Sequence, residues 1–248
     1  GNNSYSIDFA DLERKTADPK VRLLLLCNPH NPTGRVWTRE ELSRLGEICL
    51  RNHVVVIADE IHCELTYPNH DYTPFASISE AFLLHSVTCT SPSKAFNLAG
   101  LQIANIFCAD EDMRRKIDKA INVNEVCDVN PLGVEALIAA YNEGEDWLDE
   151  LRHYLLMNYI YLKTYFKEHL PRLSVLPLEG TYLAWIDCSA MQLPSEEIEE
   201  LLLKKEKLWI NAGKMYGETG NNFIRLNLAC PRRVLADGLN RLKRGLSG

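Results

Sequence analysis

The chain has 248 residues, 46% of them hydrophobic, and its 27 basic and 34 acidic residues give a net charge of −7 at neutral pH. This length can bury a substantial core and predicts one larger unit plus a smaller one. Lys and Arg are scattered rather than clustered on one predicted element, so composition gives nucleic-acid binding no support. No apolar run approaches the roughly 20 residues of a membrane span, and we expect no membrane partner.

The cysteines and the N-terminus suggest the compartment. The 8 cysteines are never two or three residues apart, and most lie in apolar strand-like or helix-like runs, so we expect reduced, buried thiols and no metal site. The first residues, Gly1-Asn2-Asn3-Ser4, contain neither a charged nor an apolar signal region, and a cytoplasmic location is the default expectation. Because no Met precedes Gly1, the start suggests tag removal.

The first half of the chain alternates short apolar runs with helical patterns, which predicts a parallel βαβ sheet. The runs 23–26 and 54–57 are continuously apolar, so we expect central strands covered by helices on both faces. Thr38 followed three residues later by Glu41 marks a helix start. The predicted elements are strand Arg22–Cys27, helix Thr38–Arg51, strands His53–Asp59, His85–Thr90 and Leu101–Ala109, and a helical pattern from Asp110.

The second half reads as a long helix followed by an α+β pattern. Residues Glu145–Leu170 fit one helix ended by Pro171, which we expect to bridge two domains. With no repeat or linker to set a boundary, this helix predicts a large domain of residues 1–150 and a small α+β domain of residues 151–248. The later elements are strands Leu173–Leu176 and Thr181–Asp187, helix Ser195–Lys205, strands Leu208–Asn211 and Phe223–Leu228, and a last helix from about Pro231.

Three polar clusters follow three predicted parallel strands, at the edge where open α/β sheets bind ligands. They are Asn28–Gly34, Asp59–His62 and Ser91–Lys94. Taken alone, the first could be a turn, the second a helix cap, and the third nothing at all. Together and in this order they resemble the signature of fold-type I pyridoxal 5'-phosphate (PLP) enzymes, the class I/II aminotransferase family. Stretches such as Ser93–Gln102 and Glu179–Trp185 look most like the MalY/PatB type of cystathionine β-lyase-like C–S lyase.

The resemblance implies an α/β fold of the PLP-dependent transferase type, with a mostly parallel sheet sandwiched by helices and a smaller C-terminal α+β domain. It implies PLP as cofactor, with Lys94 as the Schiff-base lysine and proton carrier, and with Asp59 as a buried carboxylate on the ring nitrogen. Asn31 matches the amide that hydrogen-bonds the phenolic oxygen of the cofactor. Arg225 matches the arginine that grips the substrate α-carboxylate through both oxygens.

Other positions match the family less uniformly. Ser91 and Ser93 correspond to positions that help to bind the cofactor phosphate. His62 stands where many family members carry a tyrosine, and it either lines the cofactor pocket or is a packed histidine. Gln102 stands where the broad family often has a phosphate-binding arginine. Both departures resemble the C–S lyase branch.

The resemblance leaves several functions open. The leading one is a PLP-dependent β-lyase that converts cystathionine or cysteine to pyruvate, ammonia and a thiol. The alternatives are a class I/II aminotransferase, a non-catalytic aminotransferase-like regulatory module and an inactive remnant. The Asp-Glu-Ile-His and Gly-Leu-Gln sequences favour the lyase.

The expected partners are a small-molecule amino-acid substrate and, in the full-length protein, a second copy in a homodimer. Family members carry an N-terminal segment that has no counterpart ahead of Tyr5. We therefore expect a truncated chain with an incomplete active site, which binds PLP weakly or not at all.

Overall fold

The structure is a computed structural model that describes residues 4–246. Contacts divide the chain into two compact units. The large unit comprises Ser6–His30 and Val36–Glu150; the small unit comprises the residues up to Tyr5, Asn31–Arg35 and the chain from Leu151 onward. The single domain boundary near residue 150 stays a prediction. The sequence did not predict that Asn31–Arg35 belongs to the small unit.

The helices and strands follow one another along both units. The helices are α1 Phe9–Thr16, α2 Arg39–Arg51, α3 Glu80–Leu84, α4 Glu111–Val123, α5 Pro131–Glu143, α6 Glu145–His169, α7 Ser195–Glu206 and α8 Arg232–Leu246. The strands are β1 Leu23–Cys27, β2 Val55–Asp59, β3 Ser86–Thr90, β4 Asn105–Phe107, β5 Ser174–Val175, β6 Leu183–Asp187, β7 Asn211–Ala212 and β8 Phe223–Asn227. The long predicted helix is confirmed as α6. None of the helices within residues 4–246 combines the length and apolarity that crossing a membrane requires.

The sheet of the large unit has the order β1-β2-β3-β4, in which the first three strands are parallel and β4 is antiparallel to β3. The α/β class and the mostly parallel sheet are confirmed. The prediction of a strand over Leu101–Ala109 was wrong in extent. Leu101 ends a short 3₁₀ turn, and Gln102 has a left-handed φ of +53°, so the extended backbone begins only afterwards.

One face of this sheet carries the core of the large unit. Because β1 and β2 pair in register, Leu26, Val56 and Ala58 point to the same face of the sheet. They pack against Leu42 and Leu45 of α2. The predicted helix start is confirmed as a capping box.

In that box the Thr38 hydroxyl accepts from the Glu41 amide at 3.2 Å, and the Glu41 carboxylate accepts from the Thr38 amide at 2.9 Å. The two bonds satisfy backbone donors that the first helical turn leaves open.

The prediction that both apolar runs are central strands was wrong for β1. Within the described residues β1 is an edge strand, and Leu23 and Leu25 are 57% and 77% exposed. A run of four leucines cannot report which face is covered, because alternate side chains of a strand point to opposite faces. Only the side that carries Leu26 is buried against helices.

The three parallel strands end in register, with Cys27 beside Asp59 and Asp59 beside Cys89. The next residue after β2, Glu60, is 2% exposed; its carboxylate accepts from the Phe75 amide at 2.8 Å and from the Tyr72 hydroxyl. These bonds attach the 72–75 loop to the carboxyl end of the sheet. Burial raises the pKa of Glu60, and the Asp59 charge adds to the increase, while the Tyr72 and Phe75 hydrogen bonds oppose it.

The small unit contains an antiparallel sheet of order β5-β6-β8-β7, with α7 and α8. The predicted α+β pattern is present. The strand predicted over Leu208–Asn211 was misplaced, because pairing with β8 begins only at Asn211 and Trp209 is 76% exposed. Lys207, with a left-handed φ of +54°, ends α7 just before this stretch.

All cysteines are free, as the sequence predicts, but they are not all buried. Cys49 and Cys188 are buried, whereas Cys127 is exposed. Burial raises the pKa of Cys49 to about 11 and that of Cys188 to about 12, so both stay neutral thiols at neutral pH.

Two adjacent leucines of β1 test whether only one face of this strand is buried. Leu26→Ala should lower the free energy of unfolding by about 2–5 kcal/mol, because it opens a cavity in the core. Leu25→Ala, with the same change in strand propensity, should cost about 0.5 kcal/mol or less. Urea unfolding of both variants measures the difference. Equal losses would show that Leu25 is covered in solution, and size-exclusion chromatography would then report whether a second copy covers it.

The buried carboxyl of Glu60 predicts a pH dependence of stability. Since its pKa is raised above the ordinary value of 4.5, the folded state holds the proton more tightly than the unfolded state. Its contribution is therefore present at low pH and is lost as pH rises through the folded-state pKa. Relative to the non-titrating Glu60→Gln, the wild type should lose unfolding free energy as the pH rises from the ordinary value of 4.5 through the raised folded-state pKa of Glu60.

Tyr72→Phe is the matched control for Glu60. It removes a hydrogen bond that lowers the Glu60 pKa, so the loss of stability should extend to higher pH than in the wild type. Urea unfolding across the pH range tests both variants. Curves for wild type and Glu60→Gln that stay parallel would show that this carboxyl does not titrate with an altered pKa.

Candidate active site

Lys94 lies in a turn just beyond the carboxyl end of β3. The turn is closed by the Phe96 amide, which donates to the Pro92 carbonyl at 2.8 Å. The Lys94 side chain is half-buried, and its amine forms no hydrogen bond or ion pair with any residue between 4 and 246. A lysine that the protein does not engage in an ion pair is available to react with a carbonyl compound.

The two serines before Lys94 differ in what they can still donate. The buried Ser91 hydroxyl donates to the Ile103 carbonyl at 2.6 Å and accepts from the Ser93 amide at 3.1 Å. Its one hydrogen is thus used inside the protein, whereas the Ser93 hydroxyl makes no hydrogen bond to the described residues. A phosphate role for either serine stays a prediction, and the geometry favours Ser93 as the donor.

Asp59 ends β2, between its neighbours in β1 and β3. We expected a buried carboxylate, and the structure places it exposed. The reason lies in the alternation of side chains along a strand. Asp59 lies two residues after Ile57 and on the same face, and Ile57 aligns with the exposed Leu25, so the carboxylate points to the less covered face. One carboxylate oxygen accepts from the Ile61 amide at 3.2 Å.

His62 lies in the turn that follows β2 and is 3% exposed. Its carbonyl accepts from the Leu65 amide at 2.9 Å. The burial is compatible with both interpretations that the sequence left open, a pocket-lining residue and a packed histidine. Its role stays a prediction.

Arg225 in β8 is fixed by neutral groups of the small unit. Its Nη1 donates to Asn31 Oδ1 at 2.9 Å, and its Nη2 donates to Asn211 Oδ1 at 2.8 Å. Its Cζ lies 5.1 Å from the centroid of the Tyr216 ring, a cation–π contact. The sequence predicted Asn31 and Arg225 as separate ligands, and the structure shows that they contact each other. It also adds Asn211 and Tyr216, which sequence reasoning missed.

The contacts of Asn211 and Tyr216 with Arg225 can be found only from the pairing of the strands. Asn211 is the cross-strand partner of Arg225 in the β7–β8 pairing, so its amide lies beside the guanidinium. This pairing depends on where β7 begins, and the sequence analysis had placed that strand too early. Tyr216 comes from a 3₁₀ turn after β7, which no sequence pattern marked.

The electrostatics around Arg225 leave its charge available. Within residues 4–246 it forms no ion pair, in contrast to Arg35 of the same unit, which pairs with Glu179 at 2.7 Å. Two of the five guanidinium N–H groups are used by amide oxygens, and three remain. Burial raises the pKa of Tyr182, which the Arg225 charge opposes. Such an arrangement can bind a carboxylate from outside the chain.

The predicted residues thus occur in two sets, one in each unit. The large unit holds five of them at the carboxyl edge of its sheet, at the end of β2 or in the turns after β2 and β3: Asp59, His62, Ser91, Ser93 and Lys94. The small unit holds the bonded pair Asn31–Arg225. In the part of the chain that the structure describes, no group of three or more His, Cys, Asp or Glu is arranged to hold a metal ion.

Comparison with known proteins gives consistent results. Residues 1–242 match the family model described as aminotransferase class I and II. The chain is 44% identical over 246 residues to cystathionine beta-lyase PatB of Bacillus subtilis, covering 99% of this chain and 64% of that protein. It is 34% identical over 238 residues to the protein MalY of Escherichia coli, covering 96% and 60%. The chain therefore spans about three fifths of the length of these relatives.

Among solved structures, cystalysin from Treponema denticola superposes with a TM-score of 0.97 at 34% identity, covering 100% of this chain and 63% of that one. That structure contains a pyridoxal 5'-phosphate cofactor. The family match spans nearly the whole chain, and cystalysin shares its fold over that span. This chain belongs to the aminotransferase class I and II family.

Proposed function

We propose that the chain carries cofactor- and substrate-binding residues of a PLP-dependent C–S β-lyase that acts on an amino acid such as cystathionine or cysteine. The observation that carries the proposal is the Arg225 guanidinium, which is held by two amide oxygens and has no acidic partner among the described residues. Support for the lyase comes from the 44% identity to a protein named cystathionine beta-lyase.

The side chains present fit PLP in their chemistry. An unengaged lysine amine, a carboxylate at a strand end and a serine hydroxyl with its hydrogen available suit an aldehyde, a ring nitrogen and a phosphate, respectively. Lys94, Asp59 and Ser93 would hold these groups. PLP, when bound, supplies a ring that withdraws electrons from the substrate Cα.

Each of the chain's residues then has a definable task. Arg225 binds the substrate carboxylate through its remaining N–H groups and so fixes the orientation of the Cα bonds. Lys94 in its neutral form takes the Cα proton and can later return it. The Asp59 carboxylate favours the protonated ring nitrogen by charge.

Asn31 keeps hydrogen-bond donors beside its contact with Arg225. Because Asn31 Oδ1 accepts from Arg225, its Nδ2 hydrogens remain to donate, which suits the phenolic oxygen of the cofactor. His62, which is buried behind the end of β2, would line the pocket or support it.

The cofactor assignment is tested by covalent labelling. The chain is incubated with PLP, reduced with borohydride and digested, and mass spectrometry locates the modified lysine. We expect the label at Lys94, because it is half-buried in the turn after β3 and directly follows Ser93, whose hydroxyl would donate to the cofactor phosphate. Lys94→Ala should abolish it, whereas Lys119→Ala, at an exposed position of α4, should not. Label distributed over surface lysines, unchanged in Lys94→Ala, would contradict the assignment.

The substrate assignment is tested with Arg225→Lys in a protein that includes the N-terminal segment that family members carry. The substitution keeps the charge but cannot contact both Asn31 and Asn211. Since a hydrogen bond to a charged group contributes about 1.5–3 kcal/mol, KM for L-cystathionine should rise roughly 10- to 100-fold. Pyruvate release is the measurement. Pyruvate release without an added 2-oxo acid indicates the lyase. An aminotransferase would release no pyruvate from L-cystathionine and would instead convert an added 2-oxo acid to its amino acid. An unchanged KM in Arg225→Lys would remove Arg225 from the substrate site.

A further inference from the structure

Asn31 reaches Arg225 from a segment that has no regular secondary structure. Residues 31–33 form a turn and residues 34–35 have no regular secondary structure, yet Asn31 presents its Oδ1 to Arg225, which lies 194 positions later in the sequence. An amide on an irregular segment keeps one orientation only if neighbouring groups fix the backbone. The contacts of Gly34 and Arg35 show how this segment is fixed.

Two backbone hydrogen bonds fix the position of Gly34. Its carbonyl accepts from the amides of both Glu179 and Gly180 at 2.9 Å. Gly34 has a left-handed φ of +73°, and a Cβ there would lie 2.7 Å from Leu178 Cδ1, so only glycine fits this approach without strain. The segment is thereby joined to the turn before β6.

A buried ion pair adds a second attachment one residue later. Arg35 Nη1 lies 2.9 and 2.7 Å from the two carboxylate oxygens of Glu179, and Arg35 Nε donates to the Tyr5 carbonyl at 2.9 Å. The two side chains are only 14% and 10% exposed. An arginine already bonded to a carboxylate is not a ligand for an external carboxylate, so this pair has a different task from that of Arg225.

We propose that Arg35 and Glu179 are positioning residues that hold Asn31 in place against Arg225, and thereby set the geometry in which Arg225 binds a carboxylate. The pair acts through the backbone of the 31–35 segment and touches no ligand itself. The consequence for carboxylate binding rests on the function proposed above, while the effect on the Asn31–Arg225 contact does not.

Glu179→Gln tests the inference, since it keeps the shape of the side chain and removes its charge. Arginine-labelled protein is studied by NMR in the absence of PLP, and the rate of rotation about the Nε–Cζ bond of Arg225 is measured. Two amide acceptors slow this rotation in the wild type, and we expect a faster rate in Glu179→Gln. Acetate, titrated as a probe of the carboxylate site, should bind roughly 10-fold more weakly, as for one misaligned hydrogen bond to a charged group.

The controls separate positioning from stability. Glu200→Gln removes an exposed carboxylate of the same unit, paired with Lys204, and should change neither the rotation rate nor the acetate affinity. Arg35→Lys keeps the charge but loses the bond to the Tyr5 carbonyl, and it should give a smaller change in the same direction. It also decides the question if Glu179→Gln does not fold.

Two results have distinct meanings. If the folded Glu179→Gln keeps the wild-type rotation rate of Arg225, the pair only stabilises the fold and the inference is overturned. If the wild type binds no acetate, the proposed carboxylate site fails, and the rotation rate still decides whether Arg35 and Glu179 position Asn31.

Discussion

The guanidinium of Arg225 contacts two amide oxygens and one aromatic ring, all of them neutral. The other contacts around this arginine in the small unit depend on this choice of neutral partners. A carboxylate in place of Asn31 or Asn211 would hold the guanidinium equally well, but it would cancel the charge that an incoming carboxylate needs. Neutral acceptors fix direction without supplying a counter-charge. The same unit uses the other solution at Arg35, where the buried Glu179 neutralises the cation.

The two arginines therefore show how one residue type serves two purposes. Leaving Arg225 without an acid costs stability, since a half-buried cation is desolvated without a full charge partner. The surrounding contacts offset part of that cost through hydrogen bonds and the Tyr216 ring. A local cost of this kind is expected where a site is built for a ligand rather than for folding alone.

Sequence patterns predicted most of the elements of both units because those elements obey local rules. The capping box at Thr38 and the long periodic stretch of α6 depend only on neighbouring residues, and both were placed to within a residue or two. The errors arose where a distant partner decides. Whether β1 is central, and where β7 begins, depends on which strand lies alongside, and the leucines of β1 are equally apolar on both faces.

The candidate site divides in the same way. Residue types and their order identified Lys94, Asp59, Asn31 and Arg225 through a family resemblance, but not the contact between Asn31 and Arg225, because 194 positions separate them. Asn211, Tyr216, Arg35 and Glu179 carry no motif of their own. Each is recognisable only once the β6–β8–β7 pairing and the turn before β6 are known.

The adjacent acids Asp59 and Glu60 show how backbone geometry assigns different work to similar side chains. Asp59 is exposed at the end of β2, whereas Glu60 is 2% exposed and accepts from the Phe75 amide and the Tyr72 hydroxyl. Burial makes the charge of Glu60 costly, and its pKa rises accordingly. Asp59 has no such burial, and its carboxylate is exposed at the end of the strand.

The position of Glu60 just beyond β2 fits its hydrogen-bond partners. Inside the strand, a buried carboxylate would face the apolar core formed by Leu26, Val56 and Ala58, where no hydrogen-bond donors are available. Just beyond the strand, Glu60 accepts hydrogen bonds from the backbone and hydroxyl donors of the 72–75 loop, and these bonds attach the loop to the carboxyl end of the sheet. The buried Glu60 thus attaches a loop at the edge of the sheet where Asp59 is exposed.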